Sequence, residues 1–223
     1  MSYILNIDTA VATASICLAH NEQSLAFKIN PSQKDHAAWL HIAIKDLVEE
    51  AGISLQKLNA IAISAGPGSY TGLRVGMAAA KGLCYALQKP LLTISTLKMM
   101  AVVAQGEPTE LICPLIDARR MEVFTAIYDQ KLAEILSPIN LIVEKTSFED
   151  ILSHHSVTFF GNGSDKFKTV LQSANAHFKI LEATAKAMTV LSFNAFKQNK
   201  FADLAYAEPY YGKDFYSPFV KGS

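Results

Sequence analysis

Alternating and clustered apolar positions divide the first half of the chain into three strands, a helix, a strand and a second helix. Residues 3–8 (YILNID), 13–19 (TASICLA) and 24–30 (SLAFKIN) are rich in β-formers, and the polar turn at His20, Asn21 and Glu22 separates the last two. They predict a hairpin meander. From a start at Ser32 to Asp35, the positions His36, Leu40, Ile44, Leu47 and Ala51 recur at helical spacing until Gly52. Residues 58–65 (LNAIAISA) form a short, nearly uncharged apolar run, which reads as a buried strand. GPGSYTG at 66–72 opens a helix running to about Gln88, and Pro90 ends it. Residues 91–97 predict another strand, followed by a short helix through Ala104.

The polar segment GEPTE at 106–110 marks a boundary, giving an expected first domain at 1–105 and a second at 106–223. The second half follows a similar plan. Strand-like runs occupy 111–118, 123–129 and 135–143, and VTFF at 157–160 leads into GNGS at 161–164, which opens a helical pattern. Ile7-Asp8 recurs as Ile116-Asp117, and Gly66-Pro67-Gly68-Ser69 recurs as Gly161-Asn162-Gly163-Ser164, in the same order. A duplication would place two βββαβ-type halves face to face across a cleft.

Composition narrows the classes. Among 223 residues, Lys plus Arg number 20 and Asp plus Glu number 20, so the chain lacks the basic excess that unaided binding to a phosphate backbone requires. Half the residues are apolar and 18% are charged, which suits a folded globular protein rather than a disordered one. The most apolar stretches are broken by Lys81, Lys89 and Lys98, and the N-terminus lacks the positive region of a signal peptide. Cys17, Cys84 and Cys113 are far apart in apolar surroundings and read as reduced core thiols. A soluble cytoplasmic protein with no membrane partner is expected.

Candidate chemistry gathers at two places. An aspartate ending a buried strand and followed by small residues can hold a phosphate or magnesium; Asp8 with Thr9, and Asp117 opposite, would then face one another across the cleft, unless each merely ties down its turn. In GPGSYTGLR, the glycines at 66, 68 and 72, with Ser69 and Thr71, would let backbone N–H groups reach an anion at a helix start. The spacing matches neither the dinucleotide fingerprint nor a Walker A loop, and a plain strand-to-helix turn accounts for it equally well. The helix beyond carries Gly72, Gly76, Ala80 and Cys84 every four residues, a ridge of small side chains against which another backbone can pack closely. With Leu73 and Met77, and with Leu40, Ile44 and Leu47 of the first helix, it is expected either to pack within the chain or to form a subunit interface. His36 and His41 stand about 140° apart on a helix and cannot share a metal, and no nucleophile elbow is present, so no catalytic or metal residue is assigned. The aromatic C-terminal stretch, with Tyr206, Tyr210, Tyr211, Phe215 and Tyr216, either folds back on the chain or stacks on RNA.

Together, ILNIDTA, LNAIAISAGPGSYTGLR and LIDARRMEVFTAIYD resemble the TsaB (YeaZ) family. Residues 1–129 carry the resemblance, and Glu208-Pro209-Tyr210-Tyr211 is similar to a late element of the family. It implies an α/β, actin-like (sugar kinase/Hsp70/actin) fold of two duplicated domains. It also implies a non-catalytic scaffold subunit, supporting a TsaD-like enzyme and a TsaE-like ATPase in transferring threonylcarbamoyl to the tRNA adenosine beside the anticodon. The implied cofactor is none, beyond weak ATP or ADP and magnesium in the complex. The implied partners are the TsaD-like subunit, tRNA through the complex, and a second copy in isolation. The chain departs from the family's pattern in having Ala10 after Asp8-Thr9, and its His36 and His41 do not match the His-x-x-x-His metal pair of TsaD-like enzymes. Alternatives are a small actin-like ATP-binding phosphotransferase and, disfavoured for want of metal ligands, an M22-like peptidase.

Overall fold

The computed structural model describes residues 2–30, 32 and 35–213. Strands β1 (Tyr3–Asp8), β2 (Ser15–His20) and β3 (Gln23–Ile29) form the meander, and helix α1 (His36–Glu50) follows. Strand β4 (Ala60–Ser64), helix α2 (Tyr70–Leu87) and strand β5 (Leu91–Ile94) complete a five-stranded sheet ordered β3-β2-β1-β4-β5. Helix α3 (Thr96–Val102) links it to β6 (Leu111–Asp117), β7 (Glu122–Asp129) and β8 (Glu134–Ile142), then α4 (Glu149–His154), β9 (Val157–Phe160), α5 (Ser164–Lys168) and β10 (Ala176–Phe178). The second sheet is ordered β10-β9-β6-β7-β8. Its first strand pairs antiparallel with the second and parallel with the fourth, as in the first sheet. The order and directions of the five strands are therefore repeated.

The pleat sorts side chains into three cores. On one face of the first sheet, Leu5, Ile7, Ile61 and Ile63 bury under α1 and α2. On the other, Ile4, Ala60, Ala62 and Leu92 join α3 and the inner face of the second sheet (Ile112, Ile116, Phe124 and Tyr128). Beyond the second sheet, Leu111, Cys113, Leu115, Phe159 and Phe167 pack with α4 and α5. The C-terminal part returns to the first half. A 3-10 turn, Ala185–Met188, and α6 (Thr189–Lys197) enter the middle core, Ala202 bridges Leu91, and Tyr210 N donates to Ala65 O at 2.7 Å.

Helix ends follow local chemistry. The Ser69 hydroxyl accepts from Gly72 N at 3.3 Å to cap α2, and Gln88 closes it in the left-handed region at φ 52°, just before Pro90. Against the sequence expectation, β5 stops at Ile94, because Ser95 caps α3 through Lys98 N. The helix after GNGS is five residues long, whereas α2 has 18. Helices α4 and α6 and strand β10 were not foreseen; each is short, and none carries a full amphipathic repeat.

Candidate functional site: the aspartate turn, the glycine loop and the helical face

Asp8 lies at the end of β1 on the inward face and is fully buried. One carboxylate oxygen accepts from Ser64 Oγ at 2.5 Å and Ala10 N at 3.0 Å; the other, Oδ2, is buried without a hydrogen-bond partner. Burial pushes the carboxyl up from 3.8 to about 6, against the lowering pull of Ser64 and Ala10. Two residues earlier on the same face, Asn6 Oδ1 is also buried and unpartnered.

The chain itself fills the glycine loop. A Cβ on Gly72 would meet Thr9 O at 1.9 Å, one on Gly68 would meet Ala10 O at 2.4 Å, and one on Gly66 would meet Tyr210 O at 2.0 Å. Glycine is needed here so that the Thr9–Ala10 turn and the Tyr210 backbone can lie against the start of α2. Three of its N–H donors are taken up internally. Gly66 N reaches Thr96 Oγ1 at 3.1 Å, Ser69 N reaches Ala10 O at 2.7 Å, and Gly72 N reaches the Ser69 cap. Thr9, fully buried, donates its hydroxyl to Gly72 O at 2.7 Å, while Thr71 is exposed.

Asp117 does not face Asp8. Ile7 packs outward under α1 and α2, so Asp8 turns inward, whereas Ile116 packs inward and Asp117 turns outward. A one-residue offset against a period of two reverses the face, so the repeated Ile-Asp text occupies opposite phases of the pleat. Asp117 accepts from Lys166 Nζ at 2.7 Å and Arg119 N at 2.6 Å. Partial burial works upward, but those contacts outweigh it and hold the carboxyl below its ordinary value. A cleft of about 350 Å³ does lie between the halves, with Ala12, Thr13, Met100, Asn162 and Thr184 in its walls; neither aspartate lines it. With Asp8 sealed, Asp117 paired outward and the N–H groups of Gly66, Ser69 and Gly72 committed, the two aspartates and these donors do not fit a magnesium–nucleotide held between them.

The eight interface candidates also face inward. Leu40, Ile44, Leu47, Met77, Ala80 and Cys84 are at most 4% exposed and belong to the core under the first sheet, Leu73 is buried at 1% exposure, and Gly76 is buried against Thr9 Oγ1. The small ridge at 72, 76, 80 and 84 lets α2 settle on its own sheet and on the turn after β1. A second small row, Ala78, Gly82 and Ala86, runs about 200° round the helix and is exposed. Beside it lie Tyr85, 74% exposed, and on α1 Ile42, 65% exposed, with Ala38. A Cβ on Gly82 would meet nothing within 4 Å. Sequence reasoning missed this row, although its four-residue spacing was visible. His36 Nδ1 lies 3.1 Å from Asn30 Nδ2, and His41 is exposed. Tyr210 and Tyr211 pack on the glycine loop and α2, while Phe215 and Tyr216 lie outside the described residues. No helix among the described residues is long and apolar enough to cross a membrane.

Two facing sheets of one strand order, each with helices on its outer side, define an actin-like α/β protein. An activator of 2-hydroxyisocaproyl-CoA dehydratase from Clostridium difficile shares this fold, with a TM-score of 0.52 over 89% of this chain and 97% of that one, at 8% identity. A family model, TsaD, described as tRNA N6-adenosine threonylcarbamoyltransferase, matches residues 29–208. The tRNA threonylcarbamoyladenosine biosynthesis protein TsaB of Bacillus subtilis is 36% identical over 129 residues, 57% of this chain and 56% of that protein. The matches thus span about half the length of the first curated relatives. A solved Pseudomonas aeruginosa protein, described as similar to peptidase YEAZ, superposes with a TM-score of 0.85 at 28% identity, covering 96% of this chain and all of that one. The chain belongs to the TsaD-type family, and within it to the TsaB (YeaZ) group.

Proposed function

We propose that this chain is a supporting subunit in tRNA threonylcarbamoyladenosine synthesis and docks a TsaD-like catalytic subunit on the outward face of α1 and α2. The family supplies the pathway. The observation that carries the docking is the exposed row Ala78, Gly82 and Ala86, flanked by Tyr85 and Ile42. Small residues at four-residue spacing let a foreign helix approach closely, and the large apolar neighbours give that approach area to bury. A partner of the same fold would bring the equivalent pair of helices, making a four-helix contact; a second copy would use the same face in isolation. The chemistry falls to the partner, with a TsaE-like ATPase completing the assembly and tRNA engaged through the complex.

The test is gel filtration of the chain with a TsaD-like subunit, comparing wild type with Gly82→Arg. The variant should keep its melting temperature and lose at least tenfold in affinity, about 1.4 kcal/mol. An undiminished complex would overturn the docking. An ATP-dependent phosphotransferase is the competing reading, and calorimetry with ATP and magnesium on the isolated chain should show no micromolar binding.

A further inference from the structure

Arg74, Arg119 and Arg120 are all the arginines of the chain, and the fold brings them to one rim. The link is the segment 211–213. Tyr211 OH accepts from Arg74 Nε at 3.1 Å, a Cβ on Gly212 would lie 2.7 Å from Phe124 and 3.3 Å from Pro67, and Lys213 Nζ donates to Ala118 O at 3.1 Å. The first turn of α2 is thereby joined to the hairpin turn between β6 and β7 within three residues. That turn carries Arg119 and Arg120, both exposed, at φ 66° and 48°. The left-handed region favours glycine or asparagine, so two successive arginines there are not chosen for the turn.

The charges on this rim are unevenly answered. Its two carboxylates are taken by lysines, Asp117 by Lys166 at 2.7 Å and Glu122 by Lys213 at 2.5 Å. Among the described residues, none of the three guanidinium groups forms an ion pair. Among these described residues, five cations stand against two carboxylates, a local positive excess on a chain that is neutral as a whole. Arg74 also stands over an aromatic pair, its Cζ 4.2 Å from the Tyr70 ring centre and 5.8 Å from that of Tyr211, with the rings 5.1 Å apart.

From this arrangement we infer that the Arg74–Tyr70–Tyr211 platform and the Arg119–Arg120 turn form a contact surface for RNA, with the arginines on phosphates and the platform stacking a base. Guanidinium groups bind phosphate oxygens by paired N–H donors, and an arginine plane backed by tyrosine offers an unpaired base a flat, sequence-tolerant face. An acidic protein surface would use the charge and leave the platform idle, which favours RNA. The neutral total limits the isolated chain to weak binding, so the surface acts as one part of a larger footprint. The inference rests on the proposed role in tRNA modification and names where this subunit meets the RNA.

The test uses the full chain in complex with a TsaD-like subunit and a fluorescent tRNA transcript, followed by anisotropy across a salt series. The variant Arg74→Gln/Arg119→Gln/Arg120→Gln should bind at least tenfold more weakly. At about 0.7 per single-strand phosphate contact, its slope of log affinity against log salt should fall by about 2. Tyr211→Ala should weaken binding with little change of slope, since stacking carries no counterion release. Gel filtration of the same samples reads assembly separately. Intact assembly with unchanged RNA affinity and slope overturns this inference and leaves the supporting-subunit reading standing. Loss of assembly by the triple variant assigns the rim to a protein contact and also overturns it. If wild type never assembles, the supporting-subunit reading falls on its own, and the RNA surface is then judged by the isolated chain, where unchanged weak binding by the triple variant overturns it too.

Discussion

Replacing Asp8 by Asn tests whether the buried carboxylate is a working group or a tolerated one. In the folded chain the group is fully buried, holds two hydrogen bonds on one oxygen and none on the other, and has its pKa raised from 3.8 to about 6. The folded state thus binds this proton more tightly than the unfolded chain. The stabilising contribution is complete below about 3.8 and lost as pH rises through about 6, and at 1.36 kcal/mol per pH unit the difference amounts to ~3 kcal/mol at neutral pH. Asparagine keeps an oxygen for Ser64 Oγ and Ala10 N and removes the titration. It also places an amide donor where the lone oxygen stood, at a fixed cost of roughly 1–3 kcal/mol where no acceptor meets it. The pH dependence is therefore sharper than any single value. Urea unfolding of both proteins at pH 4, 5, 6 and 7.5 should show the stability of the variant relative to wild type rising by ~2.5 kcal/mol across the series, since part of the change already lies below pH 4. A difference that stays flat within about 0.5 kcal/mol, or that moves toward wild type with rising pH, would refute the reasoning and place Asp8 among charged groups that the fold supports.

Other substitutions separate what faces in from what faces out. Ala80→Arg forces a cation into the core beneath the first sheet, so it should cost upwards of about 4 kcal/mol and give a chain that melts early or fails to fold, by circular dichroism. A native melting curve for that variant would reverse the assigned face of α2. Gly72→Ala should destabilise by about 1–3 kcal/mol in urea, because its Cβ would meet the Thr9 carbonyl oxygen at 1.9 Å. Gly82→Ala, in the same helix with open space beside it, should stabilise by up to about 1 kcal/mol in the same measurement. Equal effects at the two glycines would sink the packing account of the loop. Lys166→Met should release Asp117 from its low value, so that NMR titration finds the carboxyl nearer its ordinary pKa.

The repeated plan of the two halves was legible, apart from β10, because it is written twice. The apolar runs, the Ile-Asp pairs and the two glycine turns recur in one sequence order, and the sheets repeat one topology. The facing of the aspartates was not legible. Strand β6 reads LICPLID and is buried on both faces up to its last residue, so it lacks the alternation that would reveal its phase. Only the packing of Ile116 against the middle core and of Leu115 against the outer one decides it. Helix α2 poses the same problem at a different period. Its rows 72-76-80-84 and 78-82-86 both consist of small residues, and spacing alone cannot tell which row meets the sheet. The Thr9–Ala10 turn settles that, since its carbonyl oxygens occupy the space that a Cβ on Gly68 or Gly72 would fill. The rim was illegible for another reason: Arg74, the 119–120 pair and Tyr211 are separated by long stretches of chain and meet only through the returning C-terminal segment.

That returning segment also explains why polar residues at the sheet end are retained without facing a ligand. Asp8 with Ser64, Thr9 with Gly72, Thr96 with Gly66 and Tyr210 with Ala65 are four links that fasten the end of β4, the loop after it and the first turn of α2 to β1 and its turn, α3 and the C-terminal segment. Four such bonds, each worth about 1 kcal/mol net, one on α2 itself and three on the segment leading into it, hold this junction more firmly than helix propensity does. Both proposed surfaces begin at that junction: the docking row runs down the outward side of α2, and Tyr70 and Arg74 stand in its first turns. A loosened staple should therefore degrade partner docking and RNA contact together, whereas a change at Gly82 reaches the first alone and a change at Arg119 the second alone. Measuring both affinities in Thr9→Val, which keeps the side-chain volume and removes the hydroxyl, distinguishes the two arrangements. A joint loss locates the mechanical anchor of the subunit at this buried polar cluster, while a loss confined to one surface means that the two are held independently.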